Sequence, residues 1–181
     1  MRTILAYLTF LTAAAVIISS CTREDKENTI ADQEAAIDSY ISQNFPDNRI
    51  FRRNGSNRIV IDSTVLALPD SLEYGDSLYF YYAGYIFTSS PSQLFSTNSE
   101  YVAQESGYSV TDPDFSIRKT LFTEDCMISG LVNGLYGVRE GEHCILIFSA
   151  KYGFYDNYVY NIPKLSALAY EIWVDRVIKN E

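Results

Sequence analysis

The stretch that decides the fold is GLVNGLYGVREGEHCILIFSAKYGFYD, residues Gly130–Asp156. Together with the preceding serine, its first part predicts about two helical turns over residues 129–136, which end near Gly137. A period-two pattern follows in residues 144–148 and is typical of a strand whose alternate side chains share one face. The segment contains no nucleophile beside a base, no set of metal ligands and no phosphate-binding loop. It therefore predicts a short helix and a strand, without catalytic chemistry of a familiar kind.

Two further stretches, residues 78–82 and 168–175, carry the same strand pattern. Alternation predicts these inward-facing side chains in the three strands: Leu78, Phe80, Tyr82, Cys144, Leu146, Phe148, Leu168, Tyr170, Ile172 and Val174. In the last strand Ala169, Glu171, Trp173 and Asp175 face the other side. One short helix against a strongly bent antiparallel sheet is an α+β arrangement.

The residues before this unit predict a helix and a hairpin. Apolar side chains recur at helical spacing over residues 30–45, and Pro46 stands just beyond as a stop. Two short strand patterns follow, at residues 49–52 and 58–62, joined by a turn at Asn54-Gly55. We expect an N-terminal helix and short strands over residues 30–62, followed by the main domain over residues 63–181.

Composition and charge limit the function. The chain has 181 residues, of which 47% are hydrophobic and 20% are charged, and it contains 15 Tyr and 10 Phe. These values predict one globular domain rich in strands. The net charge of −9 argues against a nucleic-acid partner, because no basic patch is present to neutralise phosphates.

The first 21 residues predict export. A short basic start, an uncharged apolar run and Ile18-Ser19-Ser20-Cys21 form a secretory signal layout, and the last four residues resemble the bacterial lipobox. We expect a signal peptide over residues 1–20, a lipid-modified Cys21 and a flexible, lipid-anchored tether over residues 21–29. An ordinary cleaved signal and a transmembrane anchor are the alternatives. The charged residues after Cys21 resemble the surface-export signals of Bacteroidetes lipoproteins, so we expect a cell-envelope lipoprotein at the outer membrane, on its periplasmic or exposed face.

Four blocks in the same order resemble the FKBP-type peptidyl-prolyl cis-trans isomerases. They are the strand motif of residues 75–84 (GDSLYFYYAG), residues 94–97 (LFST), residues 127–131 with 138–142 (MISGL and VREGE), and residues 162–172 (IPKLSALAYEI). The resemblance covers more than half of the chain. It implies an FKBP-like fold, in which a half-wrapped antiparallel sheet surrounds one short helix, with the N-terminal helix as an extension.

The resemblance also implies a pocket. The positions that match catalytic pocket residues of the family are Tyr82, Phe95, Ile128, Phe154 and Tyr170, and those that match substrate-binding residues are Met127, Leu131, Tyr155 and Ile162. Plain core packing is the alternative role for each. Ser96 replaces the pocket aspartate, and Phe154 stands where the family has a tyrosine, for which Tyr155 is a candidate substitute. The extra residues of 99–107 predict a short helix beside the pocket.

The chemistry that the resemblance implies needs no titratable group. Rotation about an X-Pro amide crosses a barrier of about 18–20 kcal/mol, and a dry aromatic cavity that favours the twisted amide can lower it. We expect no cofactor and no metal, and we expect proline-containing segments of exported proteins as partners, with reduced activity. The alternatives are a peptide-binding or chaperone module with little turnover and a purely structural surface lipoprotein.

Four residues outside the predicted pocket are His143, Trp173, Cys126 and Cys144. The lone histidine, His143, predicts a surface residue at a strand start and not a metal ligand. Trp173 predicts a surface-patch residue or a contact of the 30–45 helix. Cys126 and Cys144 lack CxxC spacing and predict two buried free thiols, with a disulfide as the alternative.

Overall fold

The computed structural model describes residues 2–109 and 114–180, with side chains from residue 23 onward. Helices are α1 (Arg2–Asn44), α2 (Glu100–Ser106) and α3 (Ser129–Leu135), and short 3-10 turns cover Ser63–Ala67 and Ala150–Tyr152. Strands are β1 (Arg49–Arg53), β2 (Ser56–Val60), β3 (Ser77–Phe87), β4 (Pro91–Thr97), β5 (Arg118–Leu121), β6 (His143–Phe148) and β7 (Ala167–Ile178). The predicted helices at 129–136 and 99–107 are confirmed as α3 and α2.

The strands form one antiparallel sheet in the order β1-β2-β6-β7-β3-β4, and β5 also pairs with β3. Along the outer edge of β3, β5 pairs with residues 77–80 and β4 with residues 83–87. Between them the buried Asn98 side chain replaces a strand: its Oδ1 accepts from the Tyr82 N–H at 2.7 Å and its Nδ2 donates to the Phe80 carbonyl at 3.3 Å. The predicted α+β class and the open antiparallel sheet are confirmed.

The concave face of the sheet carries the main core. The inward sets predicted from alternation lie together there, with Leu131, Val132 and Leu135 of α3 packed against them. Strand β2 adds a charged group to this region, because Arg58 and Glu142 are both buried and form an ion pair at 3.5 Å. Helix α3 is thus held against the sheet by apolar contacts around a buried charge pair.

The opposite face of the sheet is covered by α1. Ile37 and Ile41 are buried against a second cluster that includes Ile59, Ile147, Ala167 and Ala169. Ala169 points away from the main core, as alternation predicts, but on that face it is buried under α1 and not exposed to solvent. Trp173 lies outside this cluster and stacks on His143, with ring centroids 5.2 Å apart, while His143 Nε2 lies 2.8 Å from Glu171 Oε1.

The N-terminal part differs from the sequence prediction in two ways. Residues 23–29, predicted as a flexible tether, are helical, and α1 is fixed there by an ion pair of Lys26 with Asp156 at 2.5 Å. Strands β1 and β2 belong to the main sheet, because β2 pairs with β6, so the sheet continues across the boundary expected at residue 62. The signal peptide and the side chain of Cys21 lie outside the described side chains.

Two absences concern the described part of the chain alone. Within the residues whose side chains are described, no helix is long and apolar enough to cross a membrane. Cys126 and Cys144 are free thiols, as predicted; Cys144 is buried, whereas Cys126 is only half-buried. Burial raises the pKa of the Cys144 thiol, which keeps it protonated and unreactive.

Asp76 ties the chain end to the start of β3. It is only 3% exposed, and it accepts hydrogen bonds from Lys179 Nζ at 2.7 Å and from the N–H groups of Glu73 at 2.8 Å and Asn180 at 3.3 Å. Burial opposes ionisation, but these donors outweigh it and hold the pKa of Asp76 below its usual value. The stabilisation is therefore present above the unfolded-state pKa of about 3.9 and is lost as the pH falls through the folded-state value.

We expect Asp76→Asn to lower the free energy of unfolding at neutral pH by about 1–3 kcal/mol, because charge-assisted hydrogen bonds are lost. Urea titrations at several pH values measure this, with the exposed Asp175→Asn as the matched control. The difference from the wild type should narrow below about pH 4. A difference that is the same at neutral and at acidic pH would contradict this role of the carboxylate.

Candidate functional site

A cavity of about 660 Å³ opens on the concave face of the sheet, beside α3. The loop between β6 and β7 (residues 149–166, the β6–β7 loop) and the connection from β4 to β5 form its other walls. Its lining residues are Phe80, Tyr82, Phe95, Ser96, Tyr108, Ser109, Arg118, Met127, Ile128, Leu131, Phe154, Val159, Tyr160, Asn161, Ile162, Tyr170 and Ile172. The lining is mainly apolar and aromatic, which is typical of a small-ligand or side-chain pocket.

Eight of the nine predicted pocket residues lie in this cavity, and Tyr155 does not. At Tyr155 the backbone turns with φ 50°, its N–H donates to the Ala150 carbonyl, and the side chain is 42% exposed. Tyr155 therefore does not supply the hydroxyl that Phe154 lacks. The structure gives the positions of these residues, and their roles in binding or turnover stay predictions.

Tyr170 is the centre of the aromatic wall. Its ring contacts Phe95 edge-on at 5.6 Å, Tyr82 at 6.3 Å and Phe148, stacked, at 6.0 Å between centroids. Burial raises the pKa of the Tyr170 hydroxyl, so this hydroxyl is neutral at any physiological pH. Such offset and edge-on contacts hold the rings in one arrangement, which makes the wall rigid.

Gly84 makes room for this wall. It pairs with Tyr170 across β3 and β7 and with Ser96 across β3 and β4. A Cβ at residue 84 would lie 2.7 Å from Phe95 Cζ and 2.9 Å from Tyr170 Cε1. Any side chain at this position would therefore displace one of the two rings.

The polar groups of the described lining are hydroxyls, the Asn161 amide, the Arg118 guanidinium and backbone atoms. Tyr82 Oη and Ser96 Oγ are 2.9 Å apart and share a hydrogen bond, and the Tyr108 hydroxyl donates to the Phe95 carbonyl at 2.9 Å. Ile128 immediately precedes α3, without a side-chain cap, and its N–H has no acceptor among the described residues. An N–H group without an acceptor at the start of a helix is a candidate donor for a ligand carbonyl.

Sequence reasoning missed several lining residues, namely Tyr108, Ser109, Arg118, Val159, Tyr160 and Asn161. They lie in or next to loops, where no periodicity indicates which side chains point inward. Among the lining residues that the structure describes, Arg118, at the start of the edge strand β5, is the one charged residue, and it is itself exposed. These described lining residues include no carboxylate, although the whole chain has a net charge of −9.

The described side chains contain no group of three or more histidine, cysteine or acidic residues close enough to hold a metal ion. His143, which was predicted as a surface residue, is half-buried between Trp173 and Glu171 and lies outside the cavity lining. Among the described lining residues, the polar groups open to a ligand are hydroxyls, the Asn161 amide, the Arg118 guanidinium and backbone groups.

Solved structures of similar fold include FkpA, a peptidyl-prolyl cis-trans isomerase and a set of FKBP domains. FkpA from Escherichia coli is 17% identical over 94% of this chain and 70% of its own, with a TM-score of 0.57. A peptidyl-prolyl cis-trans isomerase from Pseudomonas syringae pv. tomato is 12% identical over 84% of this chain and 96% of its own, with a TM-score of 0.58. The structure of the three FKBP domains of wheat FKBP73 is 12% identical over 74% of this chain and 50% of its own, with a TM-score of 0.57.

These likenesses define the class of fold: the chain has the fold of FKBP-type peptidyl-prolyl cis-trans isomerases. No protein-family model matches the sequence, and no curated protein is significantly similar to it in sequence. At these identities the structures establish the fold alone.

Proposed function

We propose that this protein is a peptidyl-prolyl cis-trans isomerase that binds proline-containing segments in the cavity. The observation that carries the proposal is the gathering of Tyr82, Phe95, Ile128 and Tyr170 around one apolar cavity, in a fold otherwise found in such isomerases. A proline ring fits a pocket walled by aromatic rings, and the X-Pro carbonyl can accept from the Ile128 N–H.

The reaction requires rotation about one amide bond. Planarity is maintained by C–N resonance, which makes the barrier about 18–20 kcal/mol. An apolar cavity removes water from the amide, and a donor placed for the twisted carbonyl stabilises the transition state more than the planar ground state. Neither a nucleophile nor a proton transfer is needed, and the lining residues that the structure describes include no carboxylate and no imidazole.

Reduced turnover follows from two replacements. At Ser96 the resemblance places a carboxylate, but here a neutral hydroxyl is bonded to Tyr82; at Phe154 a donor hydroxyl is missing. The same two replacements favour the second candidate function, a peptide-binding module that holds proline segments with little turnover. The two functions share the cavity and differ in the rate of the chemical step.

We expect Ser96→Asp combined with Phe154→Tyr to raise kcat/KM, chiefly through kcat, by about tenfold or more if each group contributes about 1–3 kcal/mol to the transition state. A protease-coupled assay on Ala-Leu-Pro-Phe peptides measures it. Ser96→Asn with Phe154→Tyr is the control, because it matches the size of the aspartate without its charge. Unchanged turnover in a wild type that is already fast would show that the replacements do not limit the rate. A wild type that binds proline peptides without turning them over would favour the binding module, and one that does neither would leave the structural lipoprotein.

The charge of the cavity suggests a preference among substrates. An acidic residue next to proline would meet the Arg118 guanidinium at the rim, whereas a basic residue would be repelled. We expect peptides with Glu before proline to bind about two- to fivefold more tightly than those with Lys at low salt, because exposed ion pairs contribute about 0.2–1 kcal/mol.

The preference should disappear in Arg118→Gln and persist in Lys119→Gln, whose side chain is exposed on the same strand and contacts the Tyr79 ring. It should also weaken as the salt concentration rises. Equal affinity of the wild type for the two peptides would contradict a role for Arg118 in selection.

The cellular setting is part of the proposal. The signal layout and Cys21 support a lipoprotein of the cell envelope, at the outer membrane, that assists the folding of exported proteins.

We expect Cys21→Ala to move the protein from the membrane fraction to the soluble fraction, because the acyl chains that anchor it would be absent. Immunoblots of fractionated cells measure this, with Cys126→Ala as the control. Membrane association that survives Cys21→Ala would overturn the lipid anchor.

A further inference from the structure

The β6–β7 loop supplies five residues of the cavity lining: Phe154, Val159, Tyr160, Asn161 and Ile162. Its backbone takes positive φ angles at Tyr155, Tyr160 and Leu165, a conformation that ordinary side chains rarely adopt. A loop of this kind keeps its shape only where other contacts fix it. Hydrogen bonds within the loop fix part of this shape, and further contacts come from α1, on the other side of the sheet.

Gln33 of α1 joins the two ends of the loop. Its Oε1 accepts from the Ala150 N–H at 2.9 Å, and its Nε2 donates to the Leu165 carbonyl at 2.6 Å. The Leu165 N–H in turn donates to the Tyr155 carbonyl at 2.7 Å. An amide side chain carries a carbonyl acceptor and an NH₂ donor on neighbouring atoms, so the residue type matches the two backbone groups that it bridges.

Two neighbours on α1 strengthen this attachment. Ser149 is buried, and its hydroxyl donates to Glu34 Oε1 at 3.2 Å. Nearer the N-terminus of α1, Lys26 pairs with Asp156 at 2.5 Å, and Lys164 contacts the same carboxylate at 3.3 Å. The loop is thus bound to α1 near its start, near its middle and near its end.

We propose that α1 is a working part of the site and that Gln33 is a positioning residue, which holds the β6–β7 loop where it forms the cavity wall. The proposal rests on the proposed function in one respect, namely that the cavity binds proline peptides. The attachment itself is independent of that function. Displacement of α1 from the loop would loosen Phe154, Tyr160 and Ile162 and thereby weaken the grip on the proline ring.

The test compares Gln33→Met with Gln43→Met in the full chain. Methionine keeps the length of glutamine but removes both polar atoms, and Gln43 is exposed on the same helix and bonds only to Ser39 Oγ among the described residues. Affinity for an Ala-Leu-Pro-Phe peptide should fall about three- to tenfold in Gln33→Met and stay unchanged in Gln43→Met. Where turnover is measurable, the change should appear in KM more than in kcat, because the loop shapes the wall and not the donor at Ile128.

Ile41→Val is the control for a general loss of stability, because it weakens the packing of α1 on the sheet away from the loop. If Ile41→Val lowers the melting temperature as much as Gln33→Met but keeps peptide affinity, positioning is supported. If it loses affinity equally, Gln33 acts only through stability and the proposal fails. Gln33→Glu retains an acceptor for the Ala150 N–H and should restore part of the affinity.

Hydrogen exchange distinguishes failure of this inference from failure of the proposed function. The amides of Ala150, Tyr155 and Leu165 should exchange faster in Gln33→Met than in Gln43→Met, whether or not any peptide binds. Faster exchange in a protein that binds no peptide would support the attachment and refute the isomerase proposal. Unchanged exchange at all three amides would overturn the attachment, whatever the peptide does.

Discussion

The pairing of β3 with β7 is the constraint on which the cavity depends. It extends from Ser77 opposite Ile178 to Phe87 opposite Ala167, and it places Gly84 opposite Tyr170 in the middle. Because Gly84 has no side chain, the rings of Phe95 and Tyr170 meet above it. A shift of the register by one residue would turn Tyr170 to the α1 side of the sheet and remove the aromatic wall. The register of these backbone hydrogen bonds therefore determines which side chains form the wall of the cavity.

The polar character of the cavity depends on Ser96 and Phe154, which stand where the resemblance places an aspartate and a tyrosine. The Tyr82 and Ser96 hydroxyls are hydrogen-bonded to each other. Among the described lining residues, Arg118 on the edge strand β5 is the one charged side chain. Under the proposed function, such a site would select by the fit of an apolar ring and by the charge of the residues around it, and turnover would depend on how well backbone donors stabilise a twisted amide.

Much of the fold was predictable because its signals are local. Alternation of apolar residues gave the inward faces of β3, β6 and β7, a glycine stop gave the end of α3, and Asn54-Gly55 gave the hairpin of β1 and β2. Eight lining residues were predicted from the resemblance to FKBP-type isomerases, because they stand at positions that match the pocket of that family. Tyr155, which was predicted as a pocket residue, lies outside the cavity lining. The direction of its side chain depends on a backbone turn with positive φ, which no periodicity in the sequence reveals.

The sequence by itself determined the periodicities and the turn residues, since each depends on neighbours along the chain. Only the tertiary structure decided the groups that meet across long separations. Asn98 fills the gap between β4 and β5, Arg58 finds Glu142 in the core, and Gln33 bridges Ala150 and Leu165. Polar side chains of this kind carry no pattern of their own, because their partners are fixed by the packing of sheet and helix and not by spacing in the sequence.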